Sequence, residues 1–585
     1  MIIADDLGFY DVSFHNKGKG PLTPNIDKLA SEGTRLNNYY VQPLCTPTRS
    51  ALMTARHPIR DGLQHGVIMA GQAKALPLNK NVKILPEHFK NCGYKTHLVG
   101  KWHLGHFRKD YWPTERGFDT FSGYLTGAED YFTRIQCYGN WGKTSIHKPG
   151  PCGLDYRENQ RPAATDEDIA GVYSTHLFSD KIEKIVENHD FDEKPIFLNY
   201  ALQSVHYPVQ VPKNYTDQHS WVDDEMRRDY FGMVSAMDES VGRVVKMFED
   251  RGELENTIVV FSSDNGGLHD SGGYNWPFRG EKYTVWEGGV RSIGFVRGPG
   301  VEKGGVRKDL FHVVDWLPTL LGMADCDNSD FGGYKTGNEV DNGEEMNEKT
   351  DEKMKTSETI EKLEKIENLR DYNAPDPYKS PETRDFDGLD QTNLFHDKSL
   401  QKTSKNFKFN KNRAETRKEV LLNIDPIQRS KFRDTRPWIS TNFDIKSTAA
   451  LIYGPWKIIT GKPKSNERYV PPEFHQLRIR PSFKHILSKE FRTEIPRESI
   501  KMIQRKKMRN DFQKRVRIMK TVWLFNIEID PTESEELSDR YPGIVNFMLG
   551  RLEKYGAVQV PPQNSPGFIW KANPELHGGY WDSWY

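Results

Sequence analysis

Four short apolar runs in the first half of the chain each end in polar residues able to do chemistry. Met1-Ile2-Ile3-Ala4 runs into Asp5-Asp6, and His97-Leu98-Val99-Gly100 into Lys101-Trp102-His103. Pro195 to Leu202 runs into Gln203-Ser204-Val205-His206, and Ile258-Val259-Val260-Phe261 into Ser262-Ser263-Asp264-Asn265. Apolar runs of this length, bounded by Gly, Pro and polar clusters, predict buried parallel strands. Between them lie helix-like stretches such as Thr23-Pro24-Asn25 to Gly33, with a capping Thr, Pro at the first helical position and a Gly stop. The alternation over residues 1 to about 325 predicts a doubly wound α/β domain. In such sheets ligands bind beyond the carboxyl ends of the strands, where all four polar groups fall.

A fifth string, Leu44-Cys45-Thr46-Pro47-Thr48-Arg49, predicts a helix with Thr46 as N-cap and Pro47 in its first turn. That places Cys45 at a helix start, where free N–H groups and Arg49 one turn on favour an anion. Taken alone, the string reads as an ordinary structural cysteine; the strand-end residues give it company. Asp5, Asp6, Asp264 and Asn265 offer only oxygen ligands, which suits a hard cation such as Ca²⁺ better than Zn²⁺.

The order of Asp5-Asp6, the C-x-P-x-R string, Gly100-Lys101-Trp102-His103-Leu104-Gly105, Gln203-Ser204-Val205-His206 and Asp264-Asn265-Gly266-Gly267 resembles the sulfatase family. Asn38 to Cys45, Asn275-Trp276-Pro277-Phe278-Arg279-Gly280 and Trp286-Glu287-Gly288-Gly289-Val290-Arg291 are similar to its arylsulfatase B branch, which includes arylsulfatases I and J. The resemblance implies an alkaline-phosphatase-like, doubly wound mixed sheet with a smaller C-terminal antiparallel-sheet domain. It also implies oxidation of Cys45 to Cα-formylglycine by a formylglycine-generating enzyme, the hydrate supplying the hydroxyl that attacks sulfur. By motif, Arg49 and His103 would hold and activate that hydrate, Lys101 and Lys282 would clamp sulfate, and His206 would protonate the leaving oxygen. The metal, Ca²⁺ in this branch, would sit on Asp5, Asp6, Asp264, Asn265 and residue 45. Related zinc phosphatases carry a histidine where this chain has Asn265. The substrate implied is a sulfated carbohydrate or aryl sulfate, with N-acetylgalactosamine 4-sulfate of glycosaminoglycans as one candidate. The alternatives are a phosphoester hydrolase of the same superfamily and an unmodified, catalytically silent binder of sulfated glycans. One departure is Met53-Thr54-Ala55-Arg56, where the family commonly has Gly at the third position; Ala is the better helix former.

Composition narrows the picture. Lys+Arg and Asp+Glu both number 82, so no global field points to nucleic acid, and no apolar run is long enough to span a bilayer. Met1 begins inside the first expected strand, so the reading expects an upstream signal segment that this sequence lacks. The resemblance implies the secretory pathway, with a lysosomal or extracellular destination. With Cys45 converted, Cys92, Cys137, Cys152 and Cys326 remain, which allow three pairings. The family places a bridge near Cys137 and Cys152, and Cys92 and Cys326 are expected to be free, buried thiols. Asn214-Tyr215-Thr216 is a glycosylation sequon.

The expected organisation is a catalytic domain over 1–326, a low-complexity insertion over 327–385, and a C-terminal segment over 386–585. Within that segment, about 465–520 is rich in Lys and Arg and reads as a solvated insert, or as a patch for sulfated polysaccharide. A hairpin around Ala450–Thr460, a strand at Val522–Ile527 and a helix at Gly543–Tyr555 would form the small domain.

Overall fold

The computed structural model describes residues 1–77, 82–139, 150–326, 386–396, 416–426, 443–463, 467–476, 520–563 and 567–585. The expected insertion at 327–385 and most of the basic stretch at 465–520 lie outside the described residues.

A ten-stranded mixed sheet forms the centre. From one edge its strands are Gly305–His312, Thr34–Tyr40, Gly294–Arg297, Val259–Ser263, Ile2–Ala4, Ile196–Ala201, Lys95–Lys101, Thr120–Tyr124, Arg157–Glu158 and Arg161–Pro162. The four apolar runs of the sequence occupy four adjacent places, and all neighbours among them pair in parallel. Ile2 pairs with Phe261 on one side and Tyr200 on the other, and Val99 pairs with Tyr200. Because the registers match, the polar residues following each run emerge at one edge of the sheet. Antiparallel pairings at Gly294–Arg297 and Arg157–Glu158 make the sheet mixed.

Helices cover both faces. On one, Pro24–Ser31, Ser174–Asn188 and Glu225–Asp250 bury Ile26, Leu29, Phe178, Ile182, Phe231 and Met237. On the other, Cys45–Thr54, Leu85–Asn91 and Trp316–Met323 bury Leu52, Met53, Phe89, Leu317 and Leu321. A second sheet of four antiparallel strands, Glu419–Asp425, Thr448–Tyr453, Trp456–Thr460 and Val522–Asn526, carries helix Pro542–Ala557. Its inner side packs Val420, Ala450 and Phe525 against Tyr40, Trp286 and Val290 of the large sheet's domain, and its outer side packs Leu451 and Ile458 against Met548 and Leu552.

Four expectations need correction. The helix of the C-x-P-x-R string starts at Cys45, not at Pro47, with Leu44 as the flanking extended residue. Thr46 is not its cap: the Thr46 hydroxyl donates to the His103 carbonyl (3.2 Å) and receives the Ile68 N–H (3.2 Å), a tertiary bond that outcompetes a local one. Ala55 is not inside the helix either. It ends the helix in the left-handed region, φ 54°, where the Cβ is a burden and helix propensity is irrelevant. Cys92 and Cys326 are not free but form a disulfide, with Cα atoms 5.8 Å apart. Each follows a helix, and folding brings them together across 234 residues, a distance at which sequence carries no pairing signal. The expected Cys137–Cys152 bridge is present, between the paired strands Ile135–Cys137 and Cys152–Leu154.

At the described start of the basic stretch, residues 467–476, Glu467 and Val470 are exposed while Pro471 and Glu473 are buried. Glu473 is fully buried and, with Asp11, flanks the Arg227 guanidinium at 2.7 and 2.8 Å. Burial pushes the Asp11 carboxyl up to about 6, against the pull of Arg227. Buried carboxylates around one arginine hold this segment onto the catalytic domain.

Candidate active site

The ends of the four central strands are tied to one another by main-chain bonds. Asp5 N–H donates to Ser204 O (3.0 Å), Val205 N–H to Asp5 O (2.8 Å) and Asp264 N–H to Ala4 O (3.1 Å). Asp6 and His103 both hold φ 59°, the left-handed region that non-glycine residues rarely enter. Two such residues at one strand-end edge mark a site where the surrounding structure fixes a costly backbone for the sake of side-chain placement.

The side chains form a buried, charge-balanced cluster. Lys101 Nζ reaches Asp5 Oδ2 at 2.5 Å, and Lys282 Nζ lies 2.6 and 2.7 Å from the Asp6 carboxylate. Arg49 binds Asp264 Oδ2 through Nε (3.1 Å) and a terminal nitrogen (2.9 Å), with Asp5 at 3.8 Å. Three carboxylates thus face three cations, all away from solvent. Burial would raise the Asp6 carboxyl, but Lys282 and His206 override it and hold the group well below the usual carboxylate range. Asp264 is pushed up to about 6 by burial and by Asp5, with Arg49 opposing.

Cys45 sits in the middle, buried and without a disulfide partner, its Sγ 3.6 Å from Asp5 Oδ1. Burial pushes its thiol far above the ordinary value despite Lys101 and Lys282. Burial thus opposes the thiolate that the helix start and the neighbouring cations favour.

The two histidines carry different tautomers. His103 Nε2 faces the Ile68 carbonyl at 2.9 Å and so bears the proton, leaving Nδ1 as a buried lone pair with no hydrogen-bond partner among the described residues. Burial, Lys101 and Arg49 hold it well below the usual value, so it is neutral, with Nδ1 able to accept a hydrogen bond. His206 donates from Nδ1 to Tyr207 O (2.6 Å) and turns Nε2 toward Asp6 Oδ2 (3.6 Å). Burial and Lys282 push it down to about 3.

Ligand atoms of Asp5, Asp6, Cys45 and His206 lie within 4.8 Å of one another. Asn265 adds a further detail: its Nδ2 donates to Asp6 Oδ1 (2.7 Å) while its Oδ1 is buried with no hydrogen-bond partner among the described residues. A buried amide oxygen is rarely left unmade. Beside three carboxylates, it is a fit oxygen ligand for a hard dication.

All the sequence-predicted catalytic and metal residues are thus brought together. Others were not foreseen. Gln203 donates from Nε2 to Glu129 O (2.5 Å) and accepts from Ser174 Oγ (2.7 Å), and Tyr131 Oη donates to the Gln203 and His206 carbonyls (3.0 and 2.9 Å). These brace the His206 loop from a turn that is remote in sequence. Only the position of Gln203 within a strand-end string hinted at it.

Strand-end carboxylates, a buried cysteine at a helix start, and lysines, arginine and histidines around it define a hydrolytic site for an anionic ester. The sulfatase family's model matches residues 1–326, and the chain belongs to this family of sulfuric ester hydrolases. It is 35% identical over 594 residues to arylsulfatase J of Mus musculus, covering 100% of this chain and 80% of that protein. To N-acetylgalactosamine-6-sulfatase of Homo sapiens it is 31% identical over 341 residues, covering 55% of this chain and 61% of that protein. The solved structure of Ps i-CgsB superposes with a TM-score of 0.61 at 22% identity, covering 99% of this chain and 96% of that one, and supports the fold.

Proposed function

We propose that the chain hydrolyses the sulfate ester of a sulfated sugar, with position 45, converted to Cα-formylglycine, as the covalent catalyst. The observation that carries this reading is the Cys45 environment. A thiol held neutral by burial is set among two lysines, an arginine and a neutral histidine whose Nδ1 has no partner among the described residues. Formylglycine would supply there a hydrated aldehyde, one hydroxyl of which attacks sulfur while the other later expels sulfate.

The roles of the remaining residues follow from charge and tautomer. His103 Nδ1 accepts a proton from the attacking hydroxyl, because its ring is locked by Ile68 with the lone pair free. Lys101 and Lys282 hold the nonbridging sulfate oxygens, and Arg49 orients the nucleophile from Asp264. The sulfate's negative charge beside His206 favours the imidazolium, which then delivers its Nε2 proton to the leaving oxygen. Asp5, Asp6, Asp264 and Asn265 would hold Ca²⁺, which supplies positive charge for the nucleophile and a sulfate oxygen. With the carboxylates so engaged, the ammonium groups of Lys101 and Lys282, which contact Asp5 and Asp6, would be available to a sulfate.

The substrate proposed is N-acetylgalactosamine 4-sulfate in a glycosaminoglycan. The two disulfides and Asn214, exposed on helix Lys213–Asp217, support maturation in the secretory pathway and a lysosomal or extracellular site of action. No helix among the described residues is long and apolar enough to cross a membrane. The test is hydrolysis of 4-nitrocatechol sulfate by protein made alongside a formylglycine-generating enzyme. Turnover abolished in Cys45→Ala with unchanged thermal unfolding is expected; full turnover in that variant would overturn the mechanism.

A further inference from the structure

The turn that carries His206 is gripped by a tyrosine from another part of the chain. Tyr131 is fully buried, and its hydroxyl lies 3.0 Å from the Gln203 carbonyl and 2.9 Å from the His206 carbonyl. Those carbonyls stand at the two ends of one tight turn, which the His206 N–H closes by donating to Gln203 O at 3.0 Å. A phenol has a single hydrogen to donate, and here it faces both ends of the same turn.

The tyrosine is itself held from several sides. Its N–H donates to Gln210 Oε1 (3.0 Å), whose amide nitrogen donates to Asp130 Oδ2 (2.7 Å). Its carbonyl accepts from Ser174 N–H (2.9 Å) and from the Arg134 guanidinium (2.5 Å), and its ring stacks on Tyr173 with centroids 5.3 Å apart. Ser174 Oγ in turn donates to Gln203 Oε1 (2.7 Å), so the brace returns to the turn it grips. On the far side of that turn His206 Nδ1 donates to the carbonyl of its own neighbour Tyr207 (2.6 Å), and Nε2 lies 3.6 Å from Asp6 Oδ2. An imidazole bonded to its own main chain moves with that main chain. The place of Nε2 therefore follows the place of the turn, and the turn meets the Tyr131 hydroxyl at both ends.

We propose that Tyr131 is a positioning residue for His206, its hydroxyl setting the turn where Nε2 can reach a leaving oxygen. This rests on the reading of His206 as the acid of sulfate-ester hydrolysis. A general acid must stand about 2.6–3.2 Å from the atom it protonates, and a misplacement of about 1 Å can cost about 100-fold in rate. How much of that loss appears depends on the leaving group. A phenolate that is stable as an anion departs with little help, whereas a more basic leaving oxygen needs the proton as the S–O bond breaks. A displaced turn should thus slow esters of basic leaving groups and spare those of acidic ones. A smaller folded fraction or weaker sulfate binding would slow all of them alike.

The test is kcat/KM of wild type, Tyr131→Phe, His206→Asn and the double variant, all made with a formylglycine-generating enzyme. The substrates are a series of aryl sulfates from phenyl sulfate to 4-nitrophenyl sulfate, and the readout is the slope of log kcat/KM against the pKa of the released phenol. Each slope is a ratio within one preparation, so a loss of folded protein leaves it unchanged. Tyr131→Phe keeps the ring and removes only the hydroxyl; it should lower kcat/KM for phenyl sulfate about tenfold more than for 4-nitrophenyl sulfate and so steepen the slope. His206→Asn should steepen it further, and adding Tyr131→Phe to His206→Asn should leave the slope where His206→Asn put it. A wild-type slope in Tyr131→Phe beside a steep one in His206→Asn would overturn the positioning role. Further steepening in the double variant would also overturn it, showing that Tyr131 acts by a route other than His206. If His206→Asn itself keeps the wild-type slope, the reading of His206 as the acid fails and the role of Tyr131 falls with it.

Discussion

Replacing Lys457 with methionine removes the single ammonium group lying between two buried carboxylates at the junction of the two sheets. Lys457 Nζ is 2.8 Å from Glu287 Oε1 and 2.8 Å from Glu533 Oε1, and all three side chains are fully buried. Glu287 keeps other partners, the Tyr40 hydroxyl at 3.0 Å and Arg291 at 3.4 Å, and its N–H is bound by Glu533 Oε2 at 2.8 Å. Methionine preserves the stem's packing, so the loss is electrostatic, and breaking a buried pair from one side costs about 3–5 kcal/mol. The cost depends on pH. Burial, opposed by Lys457 and helped by Glu287, pushes Glu533 up to about 7 from an ordinary value of 4.5. A raised folded value means that the folded state binds its proton more tightly. In wild type the group therefore contributes stability that is complete below 4.5 and is lost as pH rises through about 7. The gap corresponds to about 3 kcal/mol. Urea unfolding followed by tryptophan fluorescence, at acidic and at mildly alkaline pH, reads the stability difference between wild type and variant, from which the other titrating groups cancel. Lys457→Met should be strongly destabilised above neutrality and much less so at acidic pH, where Glu533 is protonated. Adding Glu533→Gln should recover most of the loss. A variant as stable as wild type at both pH values, or one harmed more in acid, would refute this reasoning.

Dialysis against a calcium-selective chelator should abolish turnover and lower the melting temperature, and Ca²⁺ should restore both, because on the proposed function Asp5, Asp6, Asp264 and the Asn265 amide oxygen would lose the ion they hold. Arg227→Met leaves Asp11 and Glu473 buried without their cation; a loss of about 3–5 kcal/mol is expected, together with new protease cleavage between Glu467 and Phe474. Removing the Cys137–Cys152 bridge, which closes a separation of 15 residues, should lower stability by about 3 kcal/mol in urea unfolding under oxidising conditions.

How much of this was legible beforehand depended on how local each signal was. The four strands and their polar ends were visible because a buried parallel strand must be apolar along its length, so the switch to Asp5, Lys101, His206 and Asp264 stood out. That the four runs are immediate neighbours in the sheet was not visible, since strand order is a tertiary property. The Cys45 helix was anticipated, but its first residue was misplaced, because Thr46 spends its hydroxyl on His103 and Ile68 rather than on its own helix. Ala55 looked like helix and proved to be a left-handed terminus, a backbone state that propensity cannot reveal. The Cys92–Cys326 bridge, the Glu473–Arg227–Asp11 cluster and the Lys457 junction each join residues far apart in the chain, and nothing in the local pattern announces them.

On the function proposed above, the buried Cys45 is a precursor and not itself the nucleophile. Mass spectrometry of the peptide carrying residue 45, from protein produced with a formylglycine-generating enzyme, tests it most directly. A peptide lighter than the cysteine form, and reactive toward an aldehyde-specific hydrazide, is the predicted result. Recovery of only the intact thiol from protein that nonetheless hydrolyses aryl sulfates would contradict the account.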